Sequence, residues 1–285
     1  MSETRRIDLP QGTVEYREQG SGPPILFVHG VLADGLLWRE VMAQLAPGFR
    51  CIAPDWPLGS HRLPMREEAD LTPPGQARLI ADFMAALDLE EVTLVGNDSG
   101  GALCQMVAAH HPQRIARLVL TPCDALEVFP PPAFAYMRRL ARVPGLPVLV
   151  AKLLARSARL RRLPRAYGSL TRKPLPDQLT FRWVEPMARS AAIRRDLRVF
   201  LADMTSEHTL AAARVLAERP VPTLLVWAAR DVHFPAALGQ RLAAGIPGAR
   251  MVLVEDAGAF LPADQPARLA WLIAEAASSG GHRAA

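Results

Sequence analysis

Residues Leu94–Ala102 read LVGNDSGGA, and this stretch decides how the rest of the chain is interpreted. An apolar strand runs into a glycine-rich turn and then directly into a helix. A nucleophile elbow needs small residues two positions before and two positions after the reactive residue, because that residue has a strained backbone. Gly96 and Gly100 stand at these positions around Asp98. A register centred on Ser99 lacks the first small residue, so the pattern favours Asp98.

The segments on both sides of this turn alternate between apolar strands and helices. Continuous apolar runs such as Ile25–Val28 and Thr223–Trp227 are typical of strands in a parallel sheet that helices cover on both faces. The alternation stops after the sixth strand and resumes only in the last part of the chain. We therefore predict an α/β fold with a core of residues 1–123 and 218–285. Residues 124–217 are predicted to form a helical cap inserted after the sixth strand.

The composition excludes several classes of protein. The chain has 285 residues, a formal charge of +5, 50% hydrophobic and 21% charged residues, which is ordinary for a folded globule and unlike a disordered or fibrous chain. The N-terminus lacks the apolar core of a signal peptide, and no apolar run approaches the ~20 residues of a membrane span. We therefore expect a cytoplasmic protein. The three cysteines lack a metal-ligand spacing, so no metal or cofactor is predicted.

The predicted cap accounts for the whole surplus of positive over negative charge. It contains 17 Lys and Arg against 7 Asp and Glu, and helices are predicted near Phe134–Arg142, Leu146–Leu160 and Ala191–Asp203. We interpret this surface mainly as a solvated, arginine-rich face. The alternative is that it steers an anionic small-molecule substrate, such as a carboxylate, or an acidic carrier protein toward the cleft. Nucleic-acid binding is not predicted, because no recognisable motif or regular interleaving of aromatic and basic residues is present.

Motifs along the chain extend the pattern of the elbow. They are FVHG at Phe27–Gly30, LWR at Leu37–Arg39, CIAPD at Cys51–Asp55 and LVWAARD at Leu225–Asp231. With the elbow they make the chain resemble the α/β-hydrolase family. The aspartate at position 98 makes it more similar to the branch with an aspartate nucleophile, which includes epoxide hydrolases, haloalkane dehalogenases and haloacetate dehalogenases. The resemblance covers nearly the whole chain outside the predicted cap and implies the α/β-hydrolase fold.

The resemblance also implies a chemistry for particular residues. Asp98 would displace a halide or open an epoxide at carbon and form an ester. A water molecule activated by histidine would then attack the ester carbonyl, while backbone N–H groups of Val31 and Ser99 stabilise the oxyanion. Asp231 matches the acid that orients the histidine. An aspartate that only caps the helix beginning near Pro235 is the structural alternative for that residue.

The expected histidine is missing from the matching segment. Residues Asp256–Pro262 read DAGAFLP, where the family has D-A-G-His-F-L-P, so Ala259 occupies the position of the general base. Two explanations remain: a deliberate His-to-Ala replacement that stalls the ester, or a natural protein that lacks the base. None of the seven histidines of the chain is at this position. His233 lies two residues from Asp231, and we interpret it as a solvated loop residue.

Candidate substrate contacts come from aromatic residues. Tyr136 and Tyr167 are the only tyrosines of the predicted cap, and paired cap tyrosines donate to the epoxide oxygen in epoxide hydrolases. Trp38 and Trp183 are candidates to line a pocket, with core packing as the alternative. Haloalkane dehalogenases usually have tryptophan directly after the nucleophile, where this chain has Ser99. Epoxide hydrolases tend to have an aromatic residue and then proline where this chain has Val31 and Leu32. The substrates of neither class can therefore be assigned directly to this chain.

The sequence therefore predicts hydrolysis through an ester on Asp98, of the epoxide-hydrolase or dehalogenase kind. Two other classes remain as alternatives: a non-hydrolytic protein that binds a ligand in the same cavity, and a lyase or cyclase that uses Asp98 as an acid or base. A serine esterase acting through Ser99 is a third. The identity of the substrate and the oligomeric state are left open.

Overall fold

The computed structural model describes residues 4–278 and contains one sheet of eight strands. The strands are β1 (Thr4–Leu9), β2 (Gly12–Gln19), β3 (Pro24–Val28), β4 (Arg50–Pro54), β5 (Val92–Asp98), β6 (Ile115–Cys123), β7 (Thr223–Ala228) and β8 (Arg250–Val254). The helices are α1 (Arg39–Leu45), α2 (Pro73–Ala86), α3 (Ser99–His110), α4 (Tyr136–Leu140), α5 (Leu146–Arg156), α6 (Ala158–Arg161), α7 (Asp177–Arg189), α8 (Ala191–Ala202), α9 (Ser206–Glu218), α10 (Ala236–Gly245), α11 (Leu261–Asp264) and α12 (Pro266–Ser278).

The strands lie in the order β1-β2-β4-β3-β5-β6-β7-β8. β1 and β2 form an antiparallel hairpin, β2 is also antiparallel to β4, and the remaining pairs are parallel. The central strands are almost completely buried, as their continuous apolar sequences predict. The predicted α/β-hydrolase fold, a mostly parallel sheet covered by helices, is confirmed.

β3 is the strand at which the direction of winding reverses. It pairs with β4 on one side and with β5 on the other, so the chain leaves the carboxyl ends of β3 and β5 in opposite directions. A crevice opens at such a switch point in α/β sheets, and ligands bind there. The loop after β3 begins at His29, and β5 ends at Asp98. The topology therefore brings the FVHG motif and the elbow to the same place.

The insertion after β6 is helical, as predicted, and covers this edge of the sheet. Within it α5 packs against α7, and α4 packs against α8. Two of its helices, α7 and α9, have no counterpart among the helices expected from the sequence. The last of them, α9, packs along α3 of the core. No helix within residues 4–278 has the length and apolar character needed to cross a membrane.

Buried polar contacts hold the cap to the core. The Trp183 indole N–H donates to Asp34 Oδ1 at 2.8 Å, and Arg182 Nε donates to Asp34 Oδ2 at 2.6 Å. The indole itself is inaccessible to solvent. A second fastening joins His61 Nε2 to Asp196 Oδ2 at 3.1 Å, with both side chains buried. Burial lowers the pKa of His61, so this ring is neutral near pH 7.

Candidate active site

The elbow has the backbone geometry that its sequence predicts. Asp98 lies between β5 and α3 with φ +56° and ψ −135°, a region that residues other than glycine rarely adopt. A side chain at Gly100 would collide with the carbonyl oxygen of Val28, and one at Gly96 would meet Gly101 Cα at 2.7 Å. The close approach of β3 and β5 to α3 thus requires glycine on both sides of Asp98.

Backbone N–H groups hold the carboxylate of Asp98. Its Oδ1 accepts a hydrogen bond from the Ser99 amide at 2.6 Å and from the Ser99 hydroxyl at 3.0 Å. The Val31 amide faces the same carboxylate and favours its ionised form, so the two amides expected to form an oxyanion hole both face Asp98. Burial raises the pKa of Asp98, and these hydrogen bonds oppose that rise. Gly30 lies directly against the carboxylate, because a Cβ there would collide with Asp98 Oδ1.

Asp231 follows β7, and among the described residues only one of its two carboxylate oxygens accepts hydrogen bonds. Its Oδ1 accepts backbone N–H groups of His233 at 2.7 Å and Phe234 at 3.1 Å. Its Oδ2 is buried and has no hydrogen-bond partner within the described part of the chain. Burial raises the pKa of Asp231 to about 6, and the negative charge of Asp98 contributes to this rise. The local hydrogen bonds fit the turn-capping role, while the unpartnered oxygen fits a carboxylate whose partner is missing.

Ala259 lies in the loop between β8 and α11 and is completely buried. Its carbonyl oxygen accepts a hydrogen bond from Asn97 Nδ2 at 2.7 Å, which ties this loop to the residue just before Asp98. The next residue, Phe260, donates its amide to the Leu170 carbonyl at 2.8 Å in the cap. The backbone around position 259 is therefore held in place on both sides.

The histidines near the site do not replace the missing one. His29 Nε2 accepts a hydrogen bond from the Trp56 amide at 2.9 Å, and its Nδ1 lies 2.9 Å from the Gly30 carbonyl oxygen. Both ring nitrogens are therefore hydrogen-bonded to the backbone. Burial lowers the pKa of His29 to about 4, and the ring is neutral at pH 7. His282 lies outside the described residues.

The interpretation of His233 as a solvated residue is wrong. Its side chain is buried because the cap segment that precedes α7 folds over it. Nε2 lies 2.8 Å from Ser169 Oγ, and the ring packs against Phe134 with centroids 4.9 Å apart. Nδ1 is buried and has no partner among residues 4–278. The imidazole makes no hydrogen bond to the Asp231 carboxylate, which is bonded only to the His233 backbone N–H.

A cavity of about 320 Å³ lies directly above the nucleophile position. Asp98, Ser99 and Val31 line one end of it, and the remaining wall is mostly apolar and comes largely from the cap. Tyr136 and Tyr167 also line it. Their hydroxyl groups donate to backbone carbonyl oxygens, of Arg165 and Leu32 respectively, both at 2.7 Å. Both tyrosines therefore line the cavity while their hydroxyl groups are hydrogen-bonded to backbone carbonyl oxygens.

The two tryptophan candidates are not among the residues that line this cavity. Trp38 is completely buried and packs against Phe27 with ring centroids 4.9 Å apart. Trp183 lies between Tyr167 and Phe260, at centroid distances of 5.4 and 5.9 Å, and joins the cap to the core. The core-packing alternative therefore describes both side chains where they lie.

Asp124 was not singled out from the sequence. It follows β6 directly, is completely buried, and neither carboxyl oxygen has a hydrogen-bond partner in the part of the chain described here. Burial raises the pKa of Asp124 well above its usual range, and the charge of Asp98 adds to the effect. The sequence does contain a signal for it, an aspartate at or just after the carboxyl end of an apolar strand. Asp98 ends β5 and Asp231 closely follows β7 at the same edge of the sheet.

The arrangement suits nucleophilic attack by a carboxylate in an apolar enclosure, followed by charge stabilisation from two amides. Within residues 4–278, no group of three or more His, Cys, Asp or Glu side chains could hold a metal ion. Cys51, Cys104 and Cys123 are free and buried.

Comparison with known proteins identifies one family and several individual relatives that the chain resembles in sequence. The sequence profile of the alpha/beta hydrolase fold family matches residues 23–266. Haloalkane dehalogenase 2 of Mycobacterium tuberculosis is 31% identical over 284 residues, which cover 96% of this chain and 94% of that protein. A haloalkane dehalogenase of Mesorhizobium japonicum is 34% identical over 147 residues, covering 50% of this chain and 47% of that protein.

Solved structures share the architecture. An alpha/beta hydrolase fold protein from Burkholderia ambifaria matches with a TM-score of 0.79 at 21% identity, covering 96% of this chain and all of that one. A loop variant of a haloalkane dehalogenase from Bradyrhizobium elkanii matches with a TM-score of 0.75 at 20% identity, covering 96% of this chain and 97% of that one. At these identities the similarity supports the fold.

Proposed function

Because the chain belongs to the alpha/beta hydrolase fold family, we propose that it is a hydrolase of the dehalogenase type in which Asp98 is the nucleophile. The observation that carries the proposal is the position of that carboxylate. It lies at a strained elbow, in contact with two backbone N–H groups, at the end of an apolar cavity of about 320 Å³. Water is largely excluded from such a cavity, so the carboxylate is poorly solvated and more reactive toward carbon.

The first step forms an ester. A carboxylate oxygen of Asp98 attacks the carbon that bears the halogen, a carbon–oxygen bond forms, and the halide leaves with the electron pair of the carbon–halogen bond. No proton is transferred, so this step needs no general base. The N–H groups of Ser99 and Val31 hold the carboxylate in one orientation and reduce the entropy lost on reaching the transition state.

The second step needs the residue that is missing. Water attacks the ester carbonyl, a base removes its proton, and the oxyanion is stabilised by the same two amides before the alcohol leaves. With Ala259 at the base position, we expect the ester to persist. Asp231, which would orient a histidine, has one oxygen with no partner among residues 4–278. This feature is consistent with a histidine lost by replacement, and it leaves a natural absence of the base as the other origin.

Epoxide opening is the second candidate, because Tyr136 and Tyr167 both line the cavity. Opening by Asp98 leaves an alkoxide that must be protonated, and a tyrosine hydroxyl is a suitable donor. Both hydroxyls would first have to release their backbone carbonyl partners. A halide needs no proton, so the dehalogenase reaction demands less rearrangement of the cavity.

The test uses the unmodified chain first. We expect incubation with a panel of bromoalkanes, haloacids and epoxides to release about one halide per chain and to add the mass of one alkyl group to the peptide containing Asp98. The matched control is Asp98→Asn, which preserves shape and removes the nucleophile, and it should give neither halide nor adduct. An adduct from epoxides alone would select the second candidate. Binding of panel members without any adduct would contradict the proposal and favour a ligand-binding protein.

The second arm restores the base. Ala259→His should convert the single release of halide into sustained turnover, because a positioned general base contributes about 10²–10⁴-fold. Ala259→Gln is the control, since it adds a polar side chain that cannot take up the proton. Turnover that incorporates no oxygen from labelled water would instead indicate a lyase or cyclase. Hydrolysis of simple esters that survives Asp98→Asn and is lost in Ser99→Ala would identify a serine esterase.

A further inference from the structure

A second cavity of about 370 Å³ lies beside the one above Asp98. It is formed within the cap by α4, α5, α7 and α8. The two cavities share six lining residues: Leu32, Met137, Leu140, Val150, Leu154 and Leu201. All six are apolar, so a ligand that extends from the first cavity into the second remains in contact with hydrocarbon throughout.

Charge distinguishes the second cavity from the first. Four arginines line it, and no Asp or Glu does. The Arg195 guanidinium is occupied by Asp196 and Glu67. Arg142 and Arg198 are exposed at its rim, and neither side chain has a partner within residues 4–278. The apolar cavity next to the one above Asp98 therefore carries, in the described part of the chain, two unpaired guanidinium groups at its rim.

The placement of Arg198 follows from helix periodicity. Arg194 and Arg198 are four residues apart on α8, so they lie on one face of the helix. Leu197 and Leu201, on the adjoining face, line the same cavity. Arg194 donates to the Met187 carbonyl at 2.6 Å, which leaves Arg198 as the free cation of this pair in the described structure. The helix thus presents an apolar wall with a cationic edge.

We propose that the substrate is a long-chain amphiphile. Its reactive carbon lies at Asp98, its hydrocarbon chain reaches from the first cavity into the second between the apolar side chains that border both, and its anionic head, a carboxylate, pairs with Arg142 and Arg198 at the rim of the second. An ω-substituted alkanoate has this form. The proposal rests on the proposed function for the reactive end, and the second cavity supplies the specificity for the anionic end.

The test separates binding from chemistry by using unreactive ligands. Calorimetric titration of the unmodified chain compares decanoate with decan-1-ol at about pH 8, in low salt and in high salt. We expect decanoate to bind several-fold more tightly in low salt, and this preference to shrink in high salt because counterions screen exposed charges. Arg142→Gln and Arg198→Gln should each weaken decanoate binding by roughly two- to fivefold, as is usual for exposed ion pairs, and leave decan-1-ol unchanged.

Matched controls are available on the same cap. Arg159→Gln removes an exposed arginine that lines neither cavity and should have no effect, while Arg198→Lys should retain most of the preference. Equal binding of decanoate and decan-1-ol, failure of both to bind, or equal losses in Arg159→Gln and Arg198→Gln would overturn the proposal. Binding of anionic vesicles without binding of free decanoate would also overturn it, in favour of a membrane surface. Because these ligands do not alkylate Asp98, their binding is independent of whether halide is released.

Discussion

Replacing Asp231 by asparagine should make the folded chain more stable at neutral and alkaline pH. Asp231 is buried, its Oδ1 accepts two backbone N–H groups, and its Oδ2 has no partner among residues 4–278. An ionised carboxylate in this position carries a desolvation penalty that the two backbone N–H groups and the charge of Arg172 only partly offset. The asparagine side chain would keep the accepting oxygen and remove the charge.

The size of the stabilisation expected for Asp231→Asn follows from the pKa of Asp231, which burial raises from 3.8 to about 6. A shift of about two units corresponds to about 3 kcal/mol, since each unit is worth about 1.4 kcal/mol. The folded state binds the proton more tightly than the unfolded state, so the stability that this group contributes is fully present below about pH 4 and is lost as pH rises through about 6. Asparagine places N–H donors without a partner where Oδ2 lies, which costs about 1 kcal/mol. The net gain at about pH 8 is therefore about 2 kcal/mol.

Urea unfolding of both chains at about pH 8 and about pH 4 measures this gain. The Asp231→Asn chain should be more stable at the higher pH and slightly less stable at the lower, with unchanged m-values. Asp256→Asn, an exposed position nearby, is the control and should change little at either pH. In an Ala259→His background the gain should disappear, because the imidazole would pair with the free oxygen. A loss of stability at the higher pH, or a gain that persists in the Ala259→His background, would refute the reasoning.

Three further changes test other parts of the site. Gly30→Ala places a Cβ against Asp98 Oδ1 and should slow adduct formation about 10²-fold in a mass-spectrometric time course, because it displaces the nucleophile. Tyr167→Phe removes the hydrogen bond to the Leu32 carbonyl and should reduce the free energy of unfolding by about 1 kcal/mol in urea; no change would contradict its role as a support for that loop. His61→Ala leaves Asp196 short of a buried partner and should destabilise by about 1–3 kcal/mol. Burial lowers the pKa of His61, so the unmodified chain should lose stability below about pH 6.5, and a denaturation series that shows the same slope in His61→Ala would contradict this assignment.

Much of the fold could be predicted because its strands are buried on both faces. Continuous apolar runs such as Ile25–Val28 identify central strands without reference to their neighbours, and the elbow identifies where one of them ends. The edge strand β1 was not predicted, because Thr4–Leu9 is mostly exposed and contains charged residues. The helices α7 and α9 were also missed. Within α7, Pro186 interrupts the helical signal, although the helix runs on to Arg189.

The candidate site was accessible from sequence only where a motif fixes local geometry. The elbow places Asp98 and Ser99 through a few consecutive residues, and the structure brings Val31 to them through the pairing of β3 and β5. Side chains whose environment depends on distant segments could not be placed in this way. His233 is buried by cap residues far earlier in the chain, where Ser169 meets its ring. The second cavity likewise exists only where four cap helices meet.

The burial of the Trp183 indole affects how small molecules can enter and leave the cavities under the cap. Swinging the cap away as one body would expose this side chain, and burying a tryptophan contributes about 4–6 kcal/mol at about 25 cal/mol per Å². Such an opened form would be populated by on the order of one molecule in 10³ to 10⁴. For the proposed reaction we therefore expect reactants to enter, and the released halide to leave, through the rim of the second cavity at Arg142 and Arg198 while the cap stays closed. The width of that opening would then limit how fast a reactant enters as well as how fast the halide leaves.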